Sequence, residues 1–217
     1  MTNPNWFLRQ VEVGMMQNFN YLIGDPETRE CAYVDPAWEV DRLLKIAEEE
    51  GYRVTKILLT HNHLDHIEGV EEVVSRTGAE IHIHLLDQES LKGGEGKIVL
   101  VAHGVGIPIG KIQVIPLHTP GHTPGSVCYQ VQVHGDPFFH LFTGDTLFQG
   151  NCGRSDLPGG DSKSLFKSLF QLRRLDPTTR VYPGHDYGIK PVTTLSYENE
   201  HNPAMKARTF EEFNRLP

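Results

Sequence analysis

The segment THNHLDH, residues 60–66, contains three histidines and one aspartate within six residues. It directly follows a run of aliphatic and β-branched residues that predicts a buried strand. Side chains two positions apart on an extended segment point to the same side, so His61 and His63 can bind one metal ion. Asp65 and His66 lie where the chain begins to turn into a helix, and they can serve a second ion. A solvated polar loop is the alternative, and the density of ligand side chains behind a buried strand disfavours it.

Three later segments offer further ligands, each on a turn that follows a predicted strand. They are Thr119-Pro-Gly-His122, Thr143-Gly-Asp145 and Tyr182-Pro-Gly-His185. In each segment a glycine lets the backbone approach its neighbours closely, and the polar side chain follows directly. One Gly-His or Gly-Asp pair alone is more often only a turn, but three of them together with residues 60–66 indicate one centre. The predicted metal-binding set is His61, His63, Asp65, His66, His122, Asp145 and His185.

The bulk composition is that of an ordinary globular protein. Of 217 residues, 38% are hydrophobic and 22% charged, which favours a single domain over residues 1–217 with a short helical C-terminal tail. The net charge of −8 disfavours nucleic acid as a partner. No apolar run approaches the roughly 18 residues of a membrane helix, and residues 1–10 show no secretory signal. We therefore expect a cytoplasmic protein that does not bind a membrane.

The three cysteines are widely spaced and form no Cys-x-x-Cys pair, which argues against a disulfide framework or a cysteine zinc site. For Cys152 a buried or partly buried neutral thiol is expected, and for Arg154 and Asp156 an ion pair within their loop. His118 could orient a ligand, although a role outside the centre is preferred. His82 and His84 alternate with isoleucines, and exposed or structurally hydrogen-bonded roles are expected for both.

Hydrophobic periodicity predicts strands alternating with helices in the first half, and the second half repeats this outline, which favours a layered α/β fold. Residues 93–110 are rich in glycine and are expected to be irregular. Strands are predicted over Phe7–Val13, Asn18–Ile23, Cys31–Val34, Val54–Leu59, Glu80–Ile83, Lys111–Leu117, Ser126–Val133, Phe138–Phe142 and Arg180–Val181, and helices over Trp38–Glu50, Ile67–Thr77, Ser164–Arg174, Thr193–His201 and Thr209–Arg215.

The motif order HxHxDH, GH, GD and GH resembles the metallo-β-lactamase superfamily across nearly the whole chain. This resemblance implies an αββα sandwich with the metal ions at one edge of two sheets. It implies one ion held by His61, His63 and His122, a second held by Asp65, His66 and His185, and Asp145 bridging the two. In true zinc β-lactamases the position of Asp145 is usually cysteine, so hydrolysis of β-lactams is not favoured.

Within the superfamily, the chain is most similar to glyoxalase II-like thioester hydrolases and to persulfide dioxygenases. The segments Asn18–Asp25, Phe142–Phe148 and Cys152–Asp156 carry this similarity. The resemblance implies hydrolysis of a small-molecule thioester of the hydroxyacylglutathione type by two divalent ions, which are zinc, iron or manganese. A bridging water would lose a proton and attack the carbonyl, with Asp65 orienting the resulting hydroxide.

A persulfide dioxygenase is the alternative within this resemblance, with a single iron held by His61, His122 and Asp145. A third reading is another metallohydrolase, such as a lactonase; an RNA phosphodiesterase is weakened by the acidic charge. Only residues 186–217 follow His185, where typical glyoxalase II carries a sizeable helical domain that helps to bind glutathione. The sequence therefore assigns no glutathione contacts and leaves the thiol carrier open.

Overall fold

Two six-stranded sheets pack face to face in the computed structural model, which describes residues 5–91 and 96–216. In the first sheet the order follows the chain, β1-β2-β3-β4-β5-β6. Neighbours are antiparallel from β1 to β3 and parallel from β3 to β6. The elements of this half are β1 (Phe7–Val13), β2 (Asn18–Gly24), β3 (Glu30–Val34), α1 (Val40–Glu49), β4 (Arg53–Leu58), α2 (Leu64–Ile67), α3 (Val70–Thr77), β5 (Glu80–His84), a 3-10 helix (Leu85–Leu91) and β6 (Ile98–Val101).

The second sheet has the order β12-β11-β10-β9-β8-β7. Only its β10–β11 pair is parallel, which makes the carboxyl ends of β8, β10 and β11 meet at one edge. Its elements are β7 (Ile107–Ile109), β8 (Ile112–His118), β9 (Val127–Gln132), β10 (Phe139–Gly144), α4 (Ser162–Leu172), β11 (Arg180–Pro183), β12 (Thr193–Thr194), α5 (Leu195–His201), α6 (Pro203–Lys206) and α7 (Phe210–Phe213).

The alternation of side chains along each strand produces three apolar layers. On β2, Tyr21 and Ile23 join the cluster between the sheets, whereas Leu22 joins the cluster under α1 and α3. On β9, Tyr129 points between the sheets and Cys128 points to the cluster under α4 to α7. The observed order is therefore helices, sheet, sheet and helices, and the predicted αββα sandwich is confirmed.

The prediction that residues 93–110 are irregular is wrong for the part of it that the structure describes; residues 93–95 lie outside the described residues. Strand β6 extends the first sheet beside β5, and β7 extends the second beside β8. Both are edge strands of four and three residues, with glycines between them, so neither carries a periodic pattern long enough to recognise.

The expectation that His82 is exposed or structurally hydrogen-bonded is wrong, and the position of β6 gives the reason. Since β5 lies between β4 and β6, His82 is only 5% exposed, and neither ring nitrogen has a hydrogen-bond partner among the described residues. Burial lowers the pKa of His82 to about 4, so its imidazole is neutral at physiological pH.

Two predicted helices have different bounds in the structure. The helix expected over Ile67–Thr77 is α2 followed by α3, and they meet at Gly69, where a Cβ atom would lie 2.7 Å from the carbonyl oxygen of Ala37. The helix expected to begin at Thr193 begins at Leu195, because Thr193–Thr194 pairs with β11 as a strand. No helix in the described ranges is long and apolar enough to cross a membrane.

Helix α1 offers a test of the outer apolar layer. Leu43 is 0% exposed on the buried face of α1, so Leu43→Ala should lower the free energy of unfolding by about 2–5 kcal/mol in a urea titration. Lys45→Ala on the exposed face is the matched control, with an expected change within about 0.5 kcal/mol. Equal effects of the two substitutions would contradict the assignment of this helix face.

Candidate metal centre

All seven predicted ligand side chains lie at one edge of the two sheets. His61 follows β4, His122 follows β8, Asp145 follows β10 and His185 follows β11. The two sheets are joined at this edge, because the backbone N–H of Phe19 on β2 donates to the carbonyl of Gly184 at 2.8 Å. The carboxyl ends of strands from both sheets therefore converge, as the glycine-flanked turns predict.

The side chains form two groups of three. In the first group, His61, His63 and His122 place their ligand atoms within 4.8 Å of one another. In the second group, the Nε2 atoms of His66 and His185 lie 3.2 Å apart, and each lies 3.4 Å from Oδ2 of Asp65.

Asp145 lies between the two groups. Its Oδ1 is 3.3 Å from Nε2 of His66, and its Oδ2 is 3.5 Å from Nε2 of His122 and 3.4 Å from Nε2 of His185. The carboxylate thus reaches the first group through His122 and the second through His66 and His185. This is the position that the resemblance implies for a bridging ligand.

The chemistry of these atoms fits a bound cation. The Nε2 atoms of His61 and His122 and the Oδ1 atom of Asp145 are buried and have no hydrogen-bond partner among the described residues. Buried polar atoms are nearly always paired, so orphans grouped in one place need a ligand. Imidazole nitrogen and carboxylate oxygen are the donors that zinc and similar ions accept.

Four of the histidines contact a residue outside the centre through Nδ1 and direct Nε2 towards the centre. This is the usual arrangement around metal ligands. The Nδ1 atoms contact Thr60 Oγ1 at 3.0 Å for His61, Asp35 Oδ2 at 3.0 Å for His66, the Arg154 carbonyl at 2.6 Å for His122 and the Met16 carbonyl at 2.8 Å for His185.

Asp35 was not predicted from the sequence, and its side chain holds residues of this centre in place. Its side chain accepts hydrogen bonds from Thr60 N at 2.7 Å, from Thr60 Oγ1 at 2.6 Å and from His66 Nδ1 at 3.0 Å. The residue is 2% exposed and directly follows β3, with a positive φ of 48°. An aspartate at the end of a strand that neighbours the strand before HxHxDH was the available signal.

Asp87 was also missed, and it holds the His122 turn. Its carboxylate accepts from Thr123 Oγ1 at 2.6 Å and from the N–H of Gly125 at 2.8 Å. A Cβ atom on Gly125 would lie 2.5 Å from the carboxyl carbon of Asp87, so this close approach requires glycine. In the sequence, Asp87 stands outside every motif.

The electrostatics of the centre favour the protonation states that metal ligands need at His61 and Asp145, but not at His66. Burial lowers the pKa of His61 well below its usual value, and the neighbouring His66 lowers it further. Burial alone would raise the pKa of Asp145, but the adjacent imidazoles of His66 and His185 hold it well below its usual range. His61 is therefore neutral and Asp145 ionised. For His66, burial lowers the pKa, yet Asp145 and Asp35 more than compensate and raise it.

Two further sequence predictions concern side chains around the centre. His118 orients none of the seven ligands; its Nε2 atom lies 2.9 Å from the Pro124 carbonyl, and its ring stacks on His84. The ion pair of Arg154 with Asp156 is confirmed, with two contacts of 2.9 Å.

Comparison with known proteins agrees with this geometry. A family model of the metallo-β-lactamase superfamily matches residues 13–185. The chain is 35% identical over 204 residues to a hydroxyacylglutathione hydrolase of Rhodospirillum rubrum, covering 94% of this chain and 75% of that protein. It is 31% identical to BaeB of Bacillus velezensis, a probable polyketide biosynthesis zinc-dependent hydrolase, covering 92% and 86%. The crystal structure of ETHE1 from Myxococcus xanthus superposes with a TM-score of 0.84 at 35% identity, covering 97% and 92%.

The contacts of Asp87 predict a stability effect. Asp87→Asn keeps the side-chain volume but replaces one carboxylate oxygen with an NH₂ group, which cannot accept a hydrogen bond from Thr123 or Gly125. The free energy of unfolding, measured in a urea titration, should therefore fall by about 1–3 kcal/mol. Glu48→Gln is the control, because Glu48 is an exposed carboxylate on α1. If Asp87→Asn matches the wild type, the carboxylate does not hold the turn.

The three thiols are predicted to be inert in the folded protein. Burial raises the pKa of Cys152 and of Cys31 to about 12 and that of Cys128 to about 11, so thiolate is scarce at pH 8. Ellman's reagent should react slowly with native protein and should titrate all three thiols once guanidinium is added. Rapid labelling of one native thiol, identified by mass spectrometry, would contradict this.

Proposed function

The chain belongs to the metallo-β-lactamase superfamily, and we propose that within it the chain is a glyoxalase II-like hydrolase of small-molecule thioesters. The position of Asp145 carries the proposal, because one carboxylate faces both groups of three side chains. Such a carboxylate suits a two-metal centre, and two-metal centres serve hydrolytic displacement. The similarity to a hydroxyacylglutathione hydrolase supports a thioester substrate, and the similarity to a zinc-dependent hydrolase supports zinc.

In this proposal, His61, His63 and His122 would hold one ion, and Asp65, His66 and His185 would hold the other. Asp145 lies between the two groups and would serve as a ligand common to both. When bound, the two divalent ions lower the pKa of a water towards about 7 and polarise the substrate carbonyl.

The chain's own contribution is to orient the water and to keep the ligands in place. Asn18 donates through Nδ2 to the Asp65 backbone carbonyl and to Asp65 Oδ2, both at 3.0 Å, which fixes the Asp65 carboxylate at the edge of the centre. The Asp65 carboxylate would accept a hydrogen bond from the attacking water and so orient it, and the proton that this water loses would pass through the carboxylate to solvent. The leaving group is a thiolate, whose conjugate acid has a pKa of about 8.5, so no strong general acid is needed.

The similarity to ETHE1 favours a second candidate, a persulfide dioxygenase-like enzyme. This chain covers 92% of that structure but only 75% of the hydroxyacylglutathione hydrolase. His61, His122 and Asp145 would then form a triad of two histidines and one carboxylate around a single iron. The substrates would be a persulfide and oxygen.

Elemental analysis of protein purified without added metal separates the two candidates. Two divalent ions per chain, together with cleavage of S-lactoylglutathione, support the hydrolase. About one iron per chain, together with oxygen uptake on glutathione persulfide and no thioester cleavage, supports the dioxygenase and overturns our proposal.

Removal of the shared carboxylate is the sharpest mutational test. Asp145→Ala should lower metal content and reduce thioester cleavage by more than about a hundredfold, because a ligand common to both ions is lost. Asp41→Asn, far from the ligand motifs and on the exposed face of α1, should retain full activity. Wild-type turnover by the Asp145→Ala protein, or by metal-depleted protein, would contradict a metal-dependent hydrolase.

A further inference from the structure

A cavity of about 610 Å³ opens between β11, β12 and the loop that follows His185. Its lining includes Gln149, Arg180, Ile189 and Lys190. None of the seven predicted ligands lines it, so the cavity is separate from the metal centre itself. It is large enough to accept part of a small-molecule substrate.

Residues next to the cavity lining contact the metal centre. Tyr187 stacks on His185 with ring centroids 4.6 Å apart, and two residues later Ile189 lines the cavity. On the other side, Phe148 contacts the ring of His185, with centroids 5.9 Å apart, and the next residue is Gln149. The cavity lining therefore begins one or two residues along the chain from side chains that contact His185.

The loop that forms one wall is held in place. The side-chain oxygen of Gln149 accepts the backbone N–H groups of Ile189 at 2.5 Å and Lys190 at 2.7 Å. Gln10 also holds this loop, because its side-chain amide donates a hydrogen bond to the carbonyl of Pro191 at 2.9 Å. These bonds preorganise the position of the Lys190 backbone, which lowers the entropy lost on binding.

The charge of the cavity is opposite to that of the chain. Arg180 and Lys190 line it, no carboxylate does, and neither cation forms an ion pair with an acidic residue in the part of the chain that the structure describes. Arg180 is oriented by the ring of Phe138, 4.4 Å from its guanidinium carbon. In a chain with a net charge of −8, two unpaired cations facing one cavity favour an anionic ligand.

We propose that this cavity binds the anionic end of the thiol carrier, a phosphate or a carboxylate, when the thioester carbonyl lies at the metal centre. The inference rests on the proposed function and adds the substrate class to it. Arg180 presents a planar donor fork that matches either anion, and Lys190 adds a point charge. A carrier without an anion would lose these contacts but would keep the reacting bond.

Three thioesters of one acyl group test the proposal: those of coenzyme A, glutathione and the uncharged N-acetylcysteamine. The wild-type kcat/KM should be at least about tenfold higher for an anionic carrier than for N-acetylcysteamine, mainly through KM. Added sodium chloride should reduce this difference in kcat/KM, because salt screens the charges of a cavity that is open to solvent. Preference for coenzyme A assigns the anion to phosphate, and preference for glutathione assigns it to carboxylate.

The cavity residues are tested by Arg180→Gln and Lys190→Gln. Each should lower the kcat/KM ratio of the preferred anionic thioester to the N-acetylcysteamine thioester by about tenfold. Arg174→Gln is a matched control, because Arg174 is also exposed and also lies over a phenylalanine ring, that of Phe170. Lys167→Gln, an exposed lysine on α4, is the second control. Both controls should leave the ratio unchanged.

Equal kcat/KM for the three carriers, or equal ratios in cavity and control variants, would overturn the inference while leaving a thioester hydrolase in place. If no thioester is cleaved, the proposed function fails instead. Calorimetric titration with the uncleavable thioethers S-methyl coenzyme A and S-methylglutathione then tests the cavity independently. Binding of one thioether that weakens about tenfold in both cavity variants supports the inference; no binding, or binding that these variants leave unchanged, overturns it.

Discussion

The buried carboxylate of Asp35 is the constraint on which the geometry of the centre depends. It accepts hydrogen bonds from both the backbone and the hydroxyl of Thr60 and from the ring of His66. It thereby joins the end of β3 to both ends of the HxHxDH segment. A carboxylate at 2% exposure is shielded from bulk water, so loss of any of these donors would leave a buried acceptor unsatisfied.

This arrangement gathers groups that would be costly to bury together without a cation. Burial opposes charge on His61, His66 and Asp145 alike, and two polar atoms, Nε2 of His61 and Oδ1 of Asp145, lack hydrogen-bond partners in the described chain. Unpaired buried polar atoms cost free energy, which the rest of the sandwich must offset. The three apolar layers provide that stability at a distance from the site. Stability and function are thus divided between the cores and the sheet edge.

The sequence predicted the centre better than its surroundings. The seven predicted ligands stand in short motifs directly after strands, and strand ends of a sandwich meet at its edges, so the convergence of these side chains could be inferred. Asp35 and Asp87 could not be recognised, because each acts through hydrogen bonds to residues distant in the chain. Strands β6 and β7 are too short for a periodic pattern, and the burial of His82 follows from β6. Contacts between distant segments account for each of these omissions.

In our proposal the cavity beyond His185 links this centre to substrate choice, since one loop carries both Tyr187 and Lys190. The central claim is that seven side chains form one two-metal centre, and anomalous X-ray diffraction from crystals of the metal-loaded protein tests it most directly. We predict two anomalous peaks, each about 2.0–2.2 Å from its histidine nitrogens and carboxylate oxygens, with Asp145 contacting both. A single peak held by His61, His122 and Asp145, or peaks away from these residues, would contradict the account.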